Sequence, residues 1–556
     1  MRRIILGVLI TFISTQVELA LGQPMQGDNL FEGQHAPLFE GMGVHNFEIS
    51  SDNELVHIYF NQAIALTYGF NHLEAARSYE QVALLDPNSA IAYWGQALVL
   101  GPNLNVAMES PSVKPAYEAI QKAKTLKKYA SQKERDLIDA LAKRYSDDET
   151  LSDRTTLDNA YADAMRKLVA KYPNDPNVRT LLAEALMVIH AWDFWHGDGH
   201  PKEWTPEILE VLETGLKDYP RHTGLIHYYI HAVEASKTPG RALEYAKTME
   251  DLVPGSGHLV HMPSHIYIRT GKYQEGVEAN ERAILVDNNY IAQCRQQGIY
   301  PLAYVPHNRH FLWAMATLQG NSKKAIMAAE HMASHINEEN MRIPGLGTLQ
   351  HYWVTPVYAY VKFGKWDEIL KTPKPADDLV YPLGVWHYAQ GMAMIAQENI
   401  EAAKKELSKL NKVREDIRLQ DVTVWEINNA TDVLTIASLS LEGEIFAASG
   451  NYDKAISILR KAASLEDNLN YNEPSDWHSP VRQTLGAVLL QAGKAKEAEK
   501  AYKEDLETFP DNGWSLYGLY QSFERQNKKE EAASTLTKFR EVWKWADINL
   551  EESRVL

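Results

Sequence analysis

The stretch from Ser479 to Asn512 reads SPVRQTLGAVLLQAGKAKEAEKAYKEDLETFPDN. Its first half sets Leu485 and Leu489 four residues apart, on one face of a helix, and stops at Gly493. Its second half sets Ala498 and Tyr502 on one face and stops at Pro510. Two segments of helical period with a glycine between them and a proline after them describe a helical hairpin. Gly486 and Ala498 are small where the two helices must approach closely. The same anchors recur outward from this stretch. Leu439, Gly443, Phe446, Gly450, Ala455 and Ala462 form a second hairpin on the same frame. Tyr267, Gly271 and Ala283 mark a third, and Ala75, Tyr79 and Pro87 end the first clear one. His227-Tyr-Tyr-Ile-His231 and His261-Met-Pro-Ser-His265 align at a spacing of 34 residues. Such a hairpin cannot bury its apolar stripe alone, so the hairpins must stack on one another.

These offsets resemble the tetratricopeptide repeat (TPR). The resemblance implies an all-α fold, a TPR-type solenoid of helical hairpins wound into a right-handed superhelix with a concave face. On this frame, units fall near 56–89, 90–125, 176–222 (interrupted), 223–256, 257–290, 306–339, 350–383, 384–417, 436–469, 479–512 and 513–546. The expected organisation is a leader at 1–22, an N-terminal segment at 23–55 and repeats at 56–290 with an insert near 191–204. A second insert follows at 291–305, then repeats at 306–546 and a tail at 547–556. No strand alternation of useful length competes with the helical period. Tyr59-Phe-Asn-Gln-Ala63, Tyr68-Gly-Phe-Asn-His72 and Tyr93-Trp-Gly-Gln-Ala97 also resemble a family of exported bacterial TPR proteins.

Composition agrees with a large folded chain. Of 556 residues, 45% are apolar and 23% charged. Asp and Glu outnumber Lys and Arg by 73 to 56, a net charge of −17 that argues against nucleic acid as a partner. One cysteine, Cys294, excludes an intrachain disulfide framework and any cysteine-based metal cluster. Met1-Arg2-Arg3, the apolar run Ile4 to Ser14 and Ala20-Leu21-Gly22 form the pattern of an export signal cleaved after Gly22. That apolar run falls short of the roughly 20 residues a membrane span needs. The expected location is periplasmic or secreted, with no membrane insertion after cleavage.

The histidines carry the functional reading. In the repeats that the chain resembles, positions 2, 5, 9, 12 and 13 of each first helix face the concave groove. On that frame His227, His231 and Glu234, then His258, His261 and His265, then His307 and His310, and finally His351 point inward, with Glu184 at the matching place in the interrupted unit. Residues four apart share a helix face, so His227/His231 and His261/His265 are vertical pairs. Neutral imidazole is a ligand for zinc or copper. The pattern therefore predicts one or two divalent transition metal ions, Zn or Cu, held by His227, His231, His261 and His265, with His258, His307 and His310 as further ligands or as a layer around them. Glu234 or Glu184 would be a ligand, an orienting group or a base, with His351 and Trp313 close by. The competing reading is structural, with each histidine stacked on an aromatic ring or solvated. No H-E-x-x-H occurs, so a zinc protease of that pattern is not indicated. Pro263 either kinks the helix that bears His261 and His265 or begins a new one.

The broader expectation is an interaction scaffold that takes a peptide, protein or glycan in its groove, with a role in polysaccharide use suggested by export and by aromatic residues. Tyr228, Tyr229, Trp313, Tyr352, Trp353, Trp386, Tyr388 and Trp477 are the aromatics in question. The segment Trp192 to His200 has the glycines and aromatics of a lid. The sequence does not decide whether there is catalysis.

Overall fold

A computed structural model describes residues 35–197, 199–294 and 304–556. The leader read at 1–22 and most of the 291–305 insert lie outside these residues. The described residues of Met1–Ile266 and Arg282–Leu302 form one compact module, and those of Tyr267–Glu281 and Ala303–Leu556 form another.

The first module opens with the hairpin Glu54–Tyr68 and His72–Leu85, followed by Ala90–Leu100 and Ser110–Leu126. Gln132–Leu141 and Thr155–Lys171 come next, then Pro176–Ile189 and Thr205–Asp218 on either side of the 190–204 insert. Local chemistry sets these ends. Ser131 and Glu134 form a reciprocal capping box at the start of Gln132–Leu141. Asp175 accepts from the N–H groups of Asn177 and Val178, and Pro176 sits in the first turn, where its missing N–H costs nothing. Residues ahead of the first hairpin pack onto it: Gln62 donates to Pro37 O at 2.9 Å and accepts from Phe39 N at 2.8 Å.

The second module contains six hairpins: Val305–Leu318 with Ser322–Ser334, Gly347–Lys362 with Trp366–Lys371, Val380–Ala396 with Ile400–Arg414, Ala430–Ala448 with Tyr452–Asp467, Val481–Gln491 with Ala495–Thr508, and Gly513–Arg525 with Lys529–Val542. The helices expected from the 436–469, 479–512 and 513–546 frames are therefore present. The glycines that end the first helices, Gly450 and Gly493, take φ of +76° and +72°, a left-handed turn that a side chain would strain. Small residues do what the repeat requires of them. The Tyr502 ring fills the space where a Cβ of Gly486 would stand, and equally that of Gly518 in the next hairpin. One ring thus locks two successive hairpins. Among the described residues the strands are Thr423–Val424 and Asn428–Asn429, an antiparallel pair with Thr423 opposite Asn429. The final residues, expected as a tail, fold back. Ser553 donates to Gln483 O at 2.7 Å and meets the Tyr502 hydroxyl at 2.8 Å. No helix among the described residues is long and apolar enough to cross a membrane.

Candidate metal centre

The helix Thr223–Val233 is buried along its whole length. It packs against Pro176–Ile189, Thr205–Asp218 and Glu54–Tyr68. His222 starts it by accepting from Leu225 N at 3.2 Å. Gly224 leaves room for the Tyr68 ring and Thr180. The helix ends at Val233, and Glu234 caps it in helical conformation, with its N–H on Ile230 O. Next, Gly257–His261 forms a short helix and Pro263 begins a new one, Pro263–Arg269. The second of the two sequence alternatives at Pro263 therefore holds. Gly257 must lack a side chain, because the Asp287 carboxylate occupies the space of a Cβ.

These elements bring five imidazoles and one carboxylate together inside the first module. His227, His231, His258, His261, His265 and Glu234 are all buried, none more than 4% exposed. His227 and His258 face each other with Nε2 atoms 3.1 Å apart, and His261 and His265 do so at 3.0 Å. One nitrogen from each of His227, His231 and His258 lies within 4.8 Å of the others. The same holds for ligand atoms of His231, Glu234 and His265. Sequence had placed these residues on a groove surface, and the structure encloses them in a core.

The hydrogen bonds fix which ring nitrogens are bare. His227 Nδ1 lies 2.5 Å from Tyr68 O, and a carbonyl only accepts, so Nδ1 carries the proton and Nε2 keeps its lone pair. Glu234 receives His231 Nδ1 on one oxygen at 2.7 Å and His265 Nδ1 on the other at 2.6 Å. Burial works against the Glu234 charge, but His265 and His231 outweigh it and hold the carboxyl well below the usual carboxylate range. It is therefore an acceptor, and Nδ1 of both rings carries the proton that it accepts. Burial is also the main reason that His227 titrates well below the ordinary imidazole range, with His231 adding to the effect, and burial lowers His231 too despite Glu234. These rings stay neutral at pH 7, the form that binds metal. His231 Nε2 is buried without a hydrogen-bond partner.

An aromatic shell surrounds the rings. Phe70 lies 4.6 Å from His227, 5.4 Å from His258 and 6.1 Å from His231 between ring centroids, and Trp192 turns an edge to His231 at 5.1 Å. Phe70 is held at φ +56°, an uncommon conformation for a bulky residue, and belongs to the turn after Glu54–Tyr68. The sequence reading missed both Phe70 and the Tyr68 carbonyl as parts of this site. Positive φ leaves no sequence signal at a phenylalanine, and every residue has a carbonyl. Part of the 191–204 insert does reach the histidines, through Trp192.

Glu184 forms a two-pronged pair with Arg144 at 3.0 and 3.2 Å, so it is neither ligand nor base for these histidines. His307 and His310 lie on Val305–Leu318 of the second module. There His310 stacks on Trp313 at 5.0 Å and sets its edge on His351 at 5.2 Å, and both of its buried nitrogens lack a partner. His351 Nδ1 meets the Tyr381 hydroxyl at 2.8 Å. Among the described residues, no carboxylate orients His310 and His351 in the way Glu234 orients His231 and His265. Of the eight aromatics considered for ligand contact, Tyr228, Tyr229, Trp313, Tyr352, Tyr388 and Trp477 are buried in the cores of their modules.

Fold and site together define a protein of stacked helical hairpins with a histidine-rich core in its first module. The tetratricopeptide repeat profile matches residues 437–469, the hairpin Ala430–Ala448 and Tyr452–Asp467. At that hairpin the chain is similar to a tetratricopeptide repeat. No curated protein matches the sequence. Several solved structures are similar, among them the following three. A human IFIT1 dimer with m7Gppp-AAAA is 12% identical over 88% of this chain and 91% of that one, with a TM-score of 0.30. Yeast Tom70 is 10% identical over 87% and 92%, with a TM-score of 0.24. The TPR domain of P58(IPK) is 11% identical over 85% and 99%, with a TM-score of 0.21.

Proposed function

We propose that this protein is an exported helical-repeat scaffold that binds a transition metal ion, zinc or copper, in its first module. A TPR scaffold is suited to interaction with proteins or ligands. The observation that carries the metal reading is the fixed tautomer of three rings. Metal-binding histidines typically donate their other N–H to a carbonyl or carboxylate, which orients the ring and raises its basicity. Tyr68 O does this for His227, and Glu234 does it for His231 and His265. The 3.1 Å between His227 and His258 Nε2 atoms is near the ~3.3 Å that separates two imidazole nitrogens on a tetrahedral zinc ion. An ion would also satisfy His231 Nε2, whose burial without a partner costs about 1–3 kcal/mol. Glu234 acts as the orienting group in this reading, since both its oxygens already hold ring N–H groups.

The test is the metal content of the untagged protein as isolated. Near-stoichiometric or greater zinc or copper is expected, reduced in the His227→Ala/His231→Ala variant while its helical circular dichroism persists. Protein that takes up neither metal, with a melting temperature unmoved by either, refutes the reading. Export is tested separately by fractionating cells and sequencing the mature N-terminus, expected at Gln23. The polysaccharide role loses its main support, because most of the aromatics that suggested it are core residues.

A further inference from the structure

We infer that the first module binds two metal ions rather than one, with Glu234 orienting one ligand of each. This rests on the metal reading above. The first argument is the number of ligands. A zinc or copper ion in an imidazole site takes three or four protein ligands. The cluster offers five imidazoles, and Glu234 is already used as an acceptor.

The second argument is how the five are grouped. The close Nε2 contacts form two separate pairs, His227 with His258 and His261 with His265. His231 joins the first pair, since its ligand atom lies within 4.8 Å of theirs, and only its Nε2 is available because Nδ1 is committed to Glu234. The 3.0 Å between His261 and His265 is as near to a shared coordination edge as the 3.1 Å of the first pair. His258 and His261 lie on one short helix and His265 on the next, so the second pair joins two helices while His258 turns to His227.

The third argument is Glu234. One of its oxygens holds His231, a ligand of the first group, and the other holds His265, a ligand of the second. The ring centroids of His231 and His265 are 5.2 Å apart at 75°. A single buried carboxylate therefore fixes the tautomer of one ring in each group and supplies one negative charge between two cationic sites, where it offsets their repulsion.

The experiment uses the full-length untagged protein, stripped with chelator and titrated with Zn(II) by calorimetry, with bound metal counted by elemental analysis after gel filtration. Two ions per chain are expected. The His261→Ala/His265→Ala variant should bind one. Glu234→Gln should weaken both, each by about 10–100-fold, because it acts on both groups. One ion in the wild-type protein overturns the two-ion inference and leaves the metal reading standing. None overturns both. Two ions retained in the His261→Ala/His265→Ala variant, or one unaffected site in Glu234→Gln, also overturns the inference. The wild-type count needs no variant, so a variant that fails to fold leaves that test intact.

Discussion

Mild acid should unfold the first module before the second. In the first module, burial pushes His72 down to about 4, and burial, followed by the nearby His45, pushes His222 down to about 3. A histidine lowered in the folded state takes up its proton only after the unfolded chain has done so, near 6.5. Its stability contribution is intact above 6.5 and falls as pH drops below that value. Each pH unit below 6.5 costs ~1.4 kcal/mol per histidine, so at pH 5 each of the two costs about 2 kcal/mol and together about 4 kcal/mol. Burial lowers His45, His227 and His231 as well, and these add to the loss. The second module carries groups of the opposite sign. Burial raises Asp476 to about 7, against the amides of Asn428 and Asn472, and raises Glu466 to about 8, against Val481 N–H. A carboxyl raised in the folded state binds its proton before the unfolded chain does, so stability rises as pH falls from about 8 toward 5. Those two gain about 2–3 kcal/mol each between pH 7 and pH 5, which offsets the ~2 kcal/mol lost at His351, lowered to about 4 by burial. Burial lowers His310 and His478 too and trims that gain. Against a typical domain stability of about 5–15 kcal/mol the contrast is large. The assay is hydrogen exchange on chelator-stripped protein at pH 7 and pH 5, corrected for intrinsic rates and read at Glu54–Tyr68 and Pro176–Ile189 against Ala430–Ala448 and Val481–Gln491. Loss of protection in the first pair ahead of the second is expected. Equal loss, or earlier loss in the second pair, refutes the reasoning.

Two further expectations follow from single contacts. Arg144→Ala should leave the Glu184 carboxylate buried and uncompensated, lowering stability by about 3–5 kcal/mol, and a thermal melt of the first module that does not move would contradict the pairing at 3.0 Å. Gly486→Ala should cost about 1–3 kcal/mol, because its methyl group overlaps the Tyr502 ring that Gly518 also receives; a neutral result in urea denaturation would show that Tyr502 does not lock the two hairpins.

The sequence by itself determined the repeat. Leu485, Gly493, Ala498 and Pro510 recur because each hairpin solves the same problem of burying a stripe and ending a helix, and a shared local solution leaves a period. The period also marked His227, His231, His261 and His265, since the spacing of four along a helix is local. What those histidines touch was decided by tertiary structure. The partner of His227 Nδ1 is the carbonyl of Tyr68, 159 residues away, and the link between His231 and His265 runs through Glu234 across two helices. Burial of the whole group, the tautomer of each ring and the place of Phe70 against them depend on how hairpins pack. Packing joins residues with no fixed separation in the chain, so no period records it.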